Sequence, residues 1–157
     1  MPFLLIVFFI ASLDQLIKHV MVRLLEDGLI VLIPSYLDLE LVYNTGAGFG
    51  ILAGQRLFLI FFSCAAIALL LYYLLRHERY ALALSAIVGG ALGNLIDRIF
   101  RGAVVDYINF SFWPAFNLAD SAITLGVIMI IGIMLAEEVR GYHARKRGDV
   151  ADIQTDR

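Results

Sequence analysis

Long apolar runs alternate with short polar clusters along this chain, and their spacing predicts four membrane helices. The first run spans about Phe3 to Leu25 and is apolar but for Ser12 until Asp14, Gln15, Lys18 and His19 appear. A charge at mid-membrane costs at least about 2.5–3.5 kcal/mol, so those four must face protein or lie near one end. Asp14 and Lys18 are four apart in the favourable acid-first order and can neutralise one another. The second run, Leu57 to Leu75, is 19 residues without a charge. At about 1.5 Å per residue it crosses nearly the whole hydrocarbon core. A third run, 80–100, turns polar at Asn94, Asp97 and Arg98, and a fourth covers about 118–136. The remainder, 137–157, is a charged tail expected to fray.

Between the first two runs, residues 29–50 change period. Leu37-Asp38-Leu39-Glu40-Leu41 alternates every second residue after Pro34, which predicts a short hairpin or small sheet at the membrane surface. Residues 102–115 read as a mixed loop carrying Asp106, with Tyr107, Phe110, Phe112 and Trp113 suited to an interfacial belt. The expected fold is one integral-membrane domain, 1–157: an all-α membrane protein with four transmembrane helices and a small β-sheet or hairpin.

Composition agrees with this. The 157-residue chain is 61% hydrophobic and 17% charged, against about 45–50% apolar for a soluble domain, so an ordinary soluble fold is excluded. A net charge of -2 and no basic patch interleaved with aromatics argue against nucleic acid as a partner. Cys64 is the lone cysteine and has no disulfide or metal-ligand companion. No basic stretch or cleavage site accompanies the first run, so the N-terminus reads as a retained helix.

Four spans place both termini on one side. Arg76, Arg79, Arg140, Arg145, Lys146, Arg147 and Arg157, seven of the 12 basic residues, share that side, which the positive-inside rule makes cytoplasmic. The polar residues that interrupt the spans then gather at the extracytoplasmic edge.

Among these, Asp106 and Asp120 are the strongest catalytic candidates. Two carboxylates within about 3 Å cannot both ionise, so one can act as acid while the other activates water. Read alone, Asp120 also fits a helix N-cap and Asp106 a solvated loop acid. Ala86, Gly90, Asn94 and Arg98 are spaced by four, so small residues let a helix approach while Asn94 and Arg98 face the bundle. These two could hold a peptide carbonyl or orient an Asp. A packing seam with a snorkelling Arg is the plainer reading.

The run Tyr43-Asn44-Thr45-Gly46-Ala47-Gly48-Phe49-Gly50 has the wrong spacing for a dinucleotide loop and suits close approach of an extended peptide, or a plain turn. His19, His77 and His143 form no zinc-protease motif, and no Ser or Cys sits in a nucleophile motif.

Five blocks together resemble the bacterial signal peptidase II (lipoprotein signal peptidase) family. They are Asp14-Gln15-x-x-Lys18, Tyr43-Asn44-Thr45-Gly46-Ala47-x-Phe49, Gly89-Gly90-Ala91-Leu92-Gly93-Asn94-Leu95-x-Asp97-Arg98, Val104-Val105-Asp106 and Phe116-Asn117-Leu118-Ala119-Asp120-Ser121. The resemblance implies an intramembrane aspartyl endopeptidase of the bacterial inner membrane, with cytoplasmic termini and a small extracytoplasmic sheet. It places the catalytic dyad on Asp106 and Asp120. Asn44, Gly46, Asn94, Arg98 and Asn117 would line the substrate site, with Asp14 and Lys18 near it on the first helix. The implied substrate is a prolipoprotein whose cysteine already carries diacylglyceryl, cut just before that cysteine, with membrane lipid the other partner. No metal or organic cofactor is implied. Since one four-helix unit supplies every candidate residue, a monomer is expected. Gly48 and Gly50 depart from the family, which commonly has Ala and Ser there.

A different class, a small proton-coupled carrier relaying through Asp14, Asp97, Asp106 and Asp120, would also use membrane carboxylates. Against it, the acids gather at one face and no pair of broken spans suggests an inverted repeat.

Overall fold

The computed structural model of the protein describes residues 2–47 and 51–155. Its elements are α1 (Pro2–Leu24), β1 (Ile30–Ile33), β2 (Leu37–Asn44), α2 (Arg56–Arg76), α3 (Ala81–Phe100), β3 (Val104–Phe110), β4 (Trp113–Phe116) and α4 (Leu118–Thr155), with a single 3₁₀ turn at Glu78–Tyr80 between α2 and α3. All four helices contain a stretch long and apolar enough to cross a membrane.

α3 is the hub because its small residues let other backbones come close. Its apolar stretch is 67% buried, against 17–22% in the other three. A Cβ at Gly89 would strike Ile10 of α1, at Gly90 the Ala119 carbonyl of α4, and at Gly93 the Asp14 carboxylate. On α4, a Cβ at Gly126 would strike Ile87 and the Ala83 carbonyl. Val7, Ile67, Leu74, Ala81, Leu84, Val88 and Leu95 fill the core around this seam. The outward faces carry exposed Phe8, Phe9, Phe61 and Phe62, which need no protein partner where lipid tails are the solvent. Gly90→Val should wedge α3 from α4 at a point where backbone cannot yield. The expected cost is about 1–3 kcal/mol, read as a lower unfolding midpoint in detergent.

The four strands form one antiparallel sheet in the order β1-β2-β3-β4. β1 and β2 turn at Pro34-Ser35, where Tyr36 N–H donates to the Ile33 carbonyl at 3.0 Å and Ser35 has φ 64°. Proline at the first corner and positive φ at the second are the marks of a type II turn. The period-two reading is thus right about a hairpin, which here spans 30–44. The rest of the anticipated 29–50 segment includes Gly48, Phe49 and Gly50, which lie outside the described residues.

Two expectations need correction. Residues 102–115, read as a mixed loop, contain β3 and the start of β4. Val104, Val105, Asp106 and Tyr107 are all buried, so β3 is covered on both faces and shows no polar-apolar alternation to betray it. The tail, expected to fray after 136, instead continues α4 to Thr155. Glu137-Glu138 and Arg145-Lys146-Arg147 are good helix formers, and isolated glycines at 141 and 148 do not outweigh them.

The ends of the bundle differ. At one end an ion pair between Arg79 and Glu137 ties the α2–α3 connection to α4, and Phe3 packs on the nearby core. At the other, the last turn of α3, the first turn of α4 and the sheet come together around the polar residues.

Candidate functional site

The register of β2 against β3 pairs Asn44 with Val104 and Val42 with Asp106. Asn44 and Asp106 are therefore diagonal neighbours on one face of the sheet, and Asn44 Nδ2 donates to Asp106 Oδ2 at 3.1 Å. The other oxygen of Asp106 accepts from Asn117 Nδ2 at 2.7 Å. Asn44 cannot turn its amide around, because its Oδ1 accepts the Gly46 N–H at 2.9 Å.

Asp120 sits in the first turn of α4. Read alone it fits an N-cap; the cap is Asn117, whose Oδ1 accepts the Asp120 N–H at 3.0 Å. Asp120 Oδ2 returns the bond, accepting the Asn117 N–H at 3.2 Å, which completes a reciprocal capping box. Its remaining oxygen, Oδ1, accepts from Asn94 Nδ2 at 2.8 Å. One fully buried residue, Asn117, thus holds both acids: its side-chain amide bonds Asp106 and its backbone bonds Asp120.

Asp106 and Asp120 line one cavity of about 230 Å³, together with Asn44, Asn94, Arg98 and Thr124. A second hollow of about 400 Å³, lined by Tyr43, Thr45, Gly46 and Ala53 among others, meets it at Asn44 and Asp106. Burial first, and the neighbouring Asp120 charge second, push the Asp106 carboxyl up from 3.8 to about 6, against the pull of Asn44 and Asn117. Burial also pushes Tyr107 up to about 12, and its hydroxyl oxygen accepts the Leu118 N–H at 3.2 Å.

Arg98 reaches this cavity from the end of α3. Its NH2 group donates to the Gly46 carbonyl at 2.9 Å, while the buried Nε has no partner among the described residues. Arg56, at the start of α2, donates to the carbonyls of Arg98 and Ile99 at 2.7 and 2.9 Å and so completes the C-terminus of α3.

Asp14 and Lys18 do not line the cavity. Both are fully buried, 2.9 Å apart, in an ionic core that also contains Asp97, 2.7 Å from Lys18. Asp97 pairs further with Arg101, accepts from Gln15 at 3.1 Å and accepts the Val105 N–H at 3.2 Å. The sequence pattern alone does not mark Arg101 and Arg56, and it offers Gln15 only as part of a family block and Asp97 only there and as a relay acid of the carrier alternative. The acid-first spacing of Asp97 and Arg101 was a usable signal. Among the described residues no group of three or more His, Cys, Asp or Glu is arranged to hold a metal ion.

The pattern that defines the family described as Signal peptidase (SPase) II matches residues 6–136. The chain belongs to the signal peptidase II family. That family makes it a membrane protease. Its relatives include the lipoprotein signal peptidase of Azoarcus sp., 39% identical over 94% of this chain and 89% of the relative. That of Halothermothrix orenii is 40% identical over 87% and 97%. Two solved bacterial membrane enzymes share the architecture. One has a TM-score of 0.80 at 32% identity, covering 87% of this chain and 89% of the other. The second has a TM-score of 0.75 at 34% identity, covering 85% and 92%.

Proposed function

We propose that this signal peptidase II removes the signal peptide from diacylglyceryl-modified prolipoproteins, cleaving before the lipidated cysteine with water activated by Asp106 and Asp120. The observation that carries this reading is that two carboxylates from different elements, held by a shared asparagine, line one cavity at the end of a membrane bundle.

The two acids share one proton. Asp120, with its oxygens directed by Asn94 and Asn117, takes a proton from water as the water oxygen attacks the scissile carbonyl carbon. Asp106 gives its proton to the carbonyl oxygen, forming a neutral tetrahedral diol. Asp120 then passes its proton to the leaving nitrogen while Asp106 recovers one from the diol, so the C–N bond breaks and the dyad returns to its starting state. Arg98, which lines the cavity, offers a guanidinium donor to a substrate carbonyl, and Asn44 and Gly46 present the sheet edge of the site. Asn94 and Asn117 act through the two carboxylates. Asp14 and Lys18 support the site from beneath it.

The positive-inside rule, applied to the basic residues at the far end, supports cytoplasmic termini with the sheet and dyad at the extracytoplasmic face of the inner membrane. There the diacylglyceryl chains stay in lipid while the peptide enters the cavity. No metal or cofactor enters this chemistry, and one chain suffices.

The reading is tested with purified protein, a chelator, and two precursors that differ only in the diacylglyceryl group on cysteine. Cleavage of the lipidated precursor alone is expected; equal cleavage of both, or of neither, contradicts it.

Two further outcomes follow. Arg98→Ala should lower kcat/KM by about 10- to 100-fold, the worth of a charge-assisted hydrogen bond, without reducing the yield of folded protein. A loss of folded protein instead would make Arg98 structural. Because the working form carries one proton and Asp106 holds it only up to about pH 6, raising the pH removes the acid. In the free enzyme kcat/KM should therefore fall about tenfold per pH unit above an apparent pKa near 6, a value belonging to the pair. A flat profile from pH 5 to 9 would exclude that proton from the rate.

A further inference from the structure

We propose that Lys18 is a positioning residue for the reaction: by occupying the side-chain oxygen of Asn94, it obliges Asn94 to turn its NH2 group toward Asp120. The inference rests on the dyad reading above and adds to it what sets the polarity of one hydrogen bond.

Lys18 Nζ lies 2.9 Å from Asp14 Oδ2, 2.7 Å from Asp97 Oδ2 and 2.9 Å from Asn94 Oδ1. An ammonium has three donors and no acceptor, so all three are committed and the Asn94 atom it meets must be the oxygen. That oxygen accepts a second bond, from Asn117 Nδ2 at 3.1 Å. Turned around, Asn94 would set its NH2 against an ammonium and another NH2 while its oxygen faced the Asp120 carboxylate. Each of these contacts has the wrong polarity. Asn94 and Lys18 are both buried, so water has little access to repair such contacts.

The ammonium is itself held where the catalytic elements begin. Asp14 accepts the Ala119 N–H of α4 at 3.0 Å, and Asp97 accepts the Val105 N–H of β3 at 3.2 Å. Asp120 follows Ala119 and Asp106 follows Val105. One cation is therefore bonded to two carboxylates that each grip the backbone one residue before a catalytic acid. It also fixes the amide that faces one of those acids.

The test measures kcat and KM for Lys18→Gln, Asn94→Asp, their double variant and Lys18→Arg, after wild type has been shown to cleave the lipidated precursor in the same assay. If wild type does not cleave, the dyad reading fails; the inference is judged only on the variants. Gln can present either end of its amide and so no longer dictates polarity. Asp at 94 still offers Lys18 an acceptor but, when ionised, gives Asp120 no donor. Each single change should lower kcat by at least about tenfold with KM within about threefold. The double variant should be no worse than the worse single, since both break the same chain of bonds. Lys18→Arg, another donor-only side chain, should recover much of what Gln loses. Wild-type kcat in folded Lys18→Gln, losses that multiply in the double variant, or an effect confined to KM would each overturn the proposal. If Lys18→Gln does not fold, Asn94→Asp decides on the same criteria. If neither folds, neutron diffraction from deuterated wild type decides: deuterons on the Asn94 atom facing Asp120 support the inference, and deuterons on the atom facing Lys18 overturn it.

Discussion

Asp106→Asn and Asp120→Asn should each reduce cleavage of a lipidated precursor by at least about a thousandfold while the protein stays folded and still binds substrate. The expectation is large because, in the proposed chemistry, the two groups act as a unit, and neither activates water or protonates the leaving nitrogen without the other. It is also specific about stability. The Asp106 carboxyl, raised from 3.8 to about 6, is a group whose ionised form the fold disfavours. Its contribution to stability is greatest below about pH 4 and is lost as pH rises to about 6, a swing on the order of 3 kcal/mol. An amide at position 106 removes that buried charge, although its NH2 then faces one of the two asparagine donors, at a cost of about 1–3 kcal/mol. The two effects roughly offset. At pH 8 the unfolding midpoint of Asp106→Asn should be no more than a few degrees from wild type, with activity gone. An inactive variant that is also unfolded would leave Asp106 a structural role only, and retained cleavage in either variant would remove that residue from the dyad.

The second large effect concerns stability and lies beneath the dyad. Asp97→Ala should destabilise the protein by about 3–5 kcal/mol, seen as a lower unfolding midpoint and a smaller yield of monodisperse protein in detergent. Lys18 and Arg101 balance Asp14 and Asp97 in the ionic core, and Lys18, Asp14 and Asp97 are fully buried. Removing Asp97 leaves two cations against one carboxylate, with Lys18 unable to reach water. It also orphans the Val105 N–H one residue before Asp106, while Gln15 Nε2 keeps the Gly93 carbonyl and Asp14 as acceptors. Glu78→Ala, in the exposed turn between α2 and α3, should cost less than about 0.5 kcal/mol. Equal tolerance of both changes would mean the ionic core is dispensable.

What the sequence made legible follows from what kind of interaction each feature rests on. The four spans depend on local composition, and the run from Leu57 to Leu75 could hardly be anything else. Asp14 and Lys18 could be paired because helical spacing alone brings them together. Asp97 joins them only through the rotation of α3 against α1, which Gly89 and Gly93 permit and no local pattern encodes. β3 was hidden for the opposite reason: burial on both faces erased the alternation that revealed β2, although the run Val104-Val105 was a usable hint. The capping box was written in Asn117-Leu118-Ala119-Asp120, with the cap one helical turn earlier than a reading of Asp120 alone suggests. The asparagines were the least legible. Asn44, Asn94 and Asn117 could be suspected of lining a site. Which end of each amide faces an acid is set by Gly46, Lys18 and the Asp120 backbone, from three different parts of the chain.

In the proposed reaction, water activated by Asp106 and Asp120 cuts a lipidated precursor immediately before its cysteine. The most direct measurement is mass spectrometry of both products after cleavage by the purified protein in heavy-oxygen water with a chelator present. The expected products are a mature fragment beginning at diacylglyceryl cysteine and a released signal peptide whose new carboxylate carries one heavy oxygen. A cut at another bond, no cleavage without added metal, or a signal peptide released without the heavy oxygen would contradict the proposed reaction.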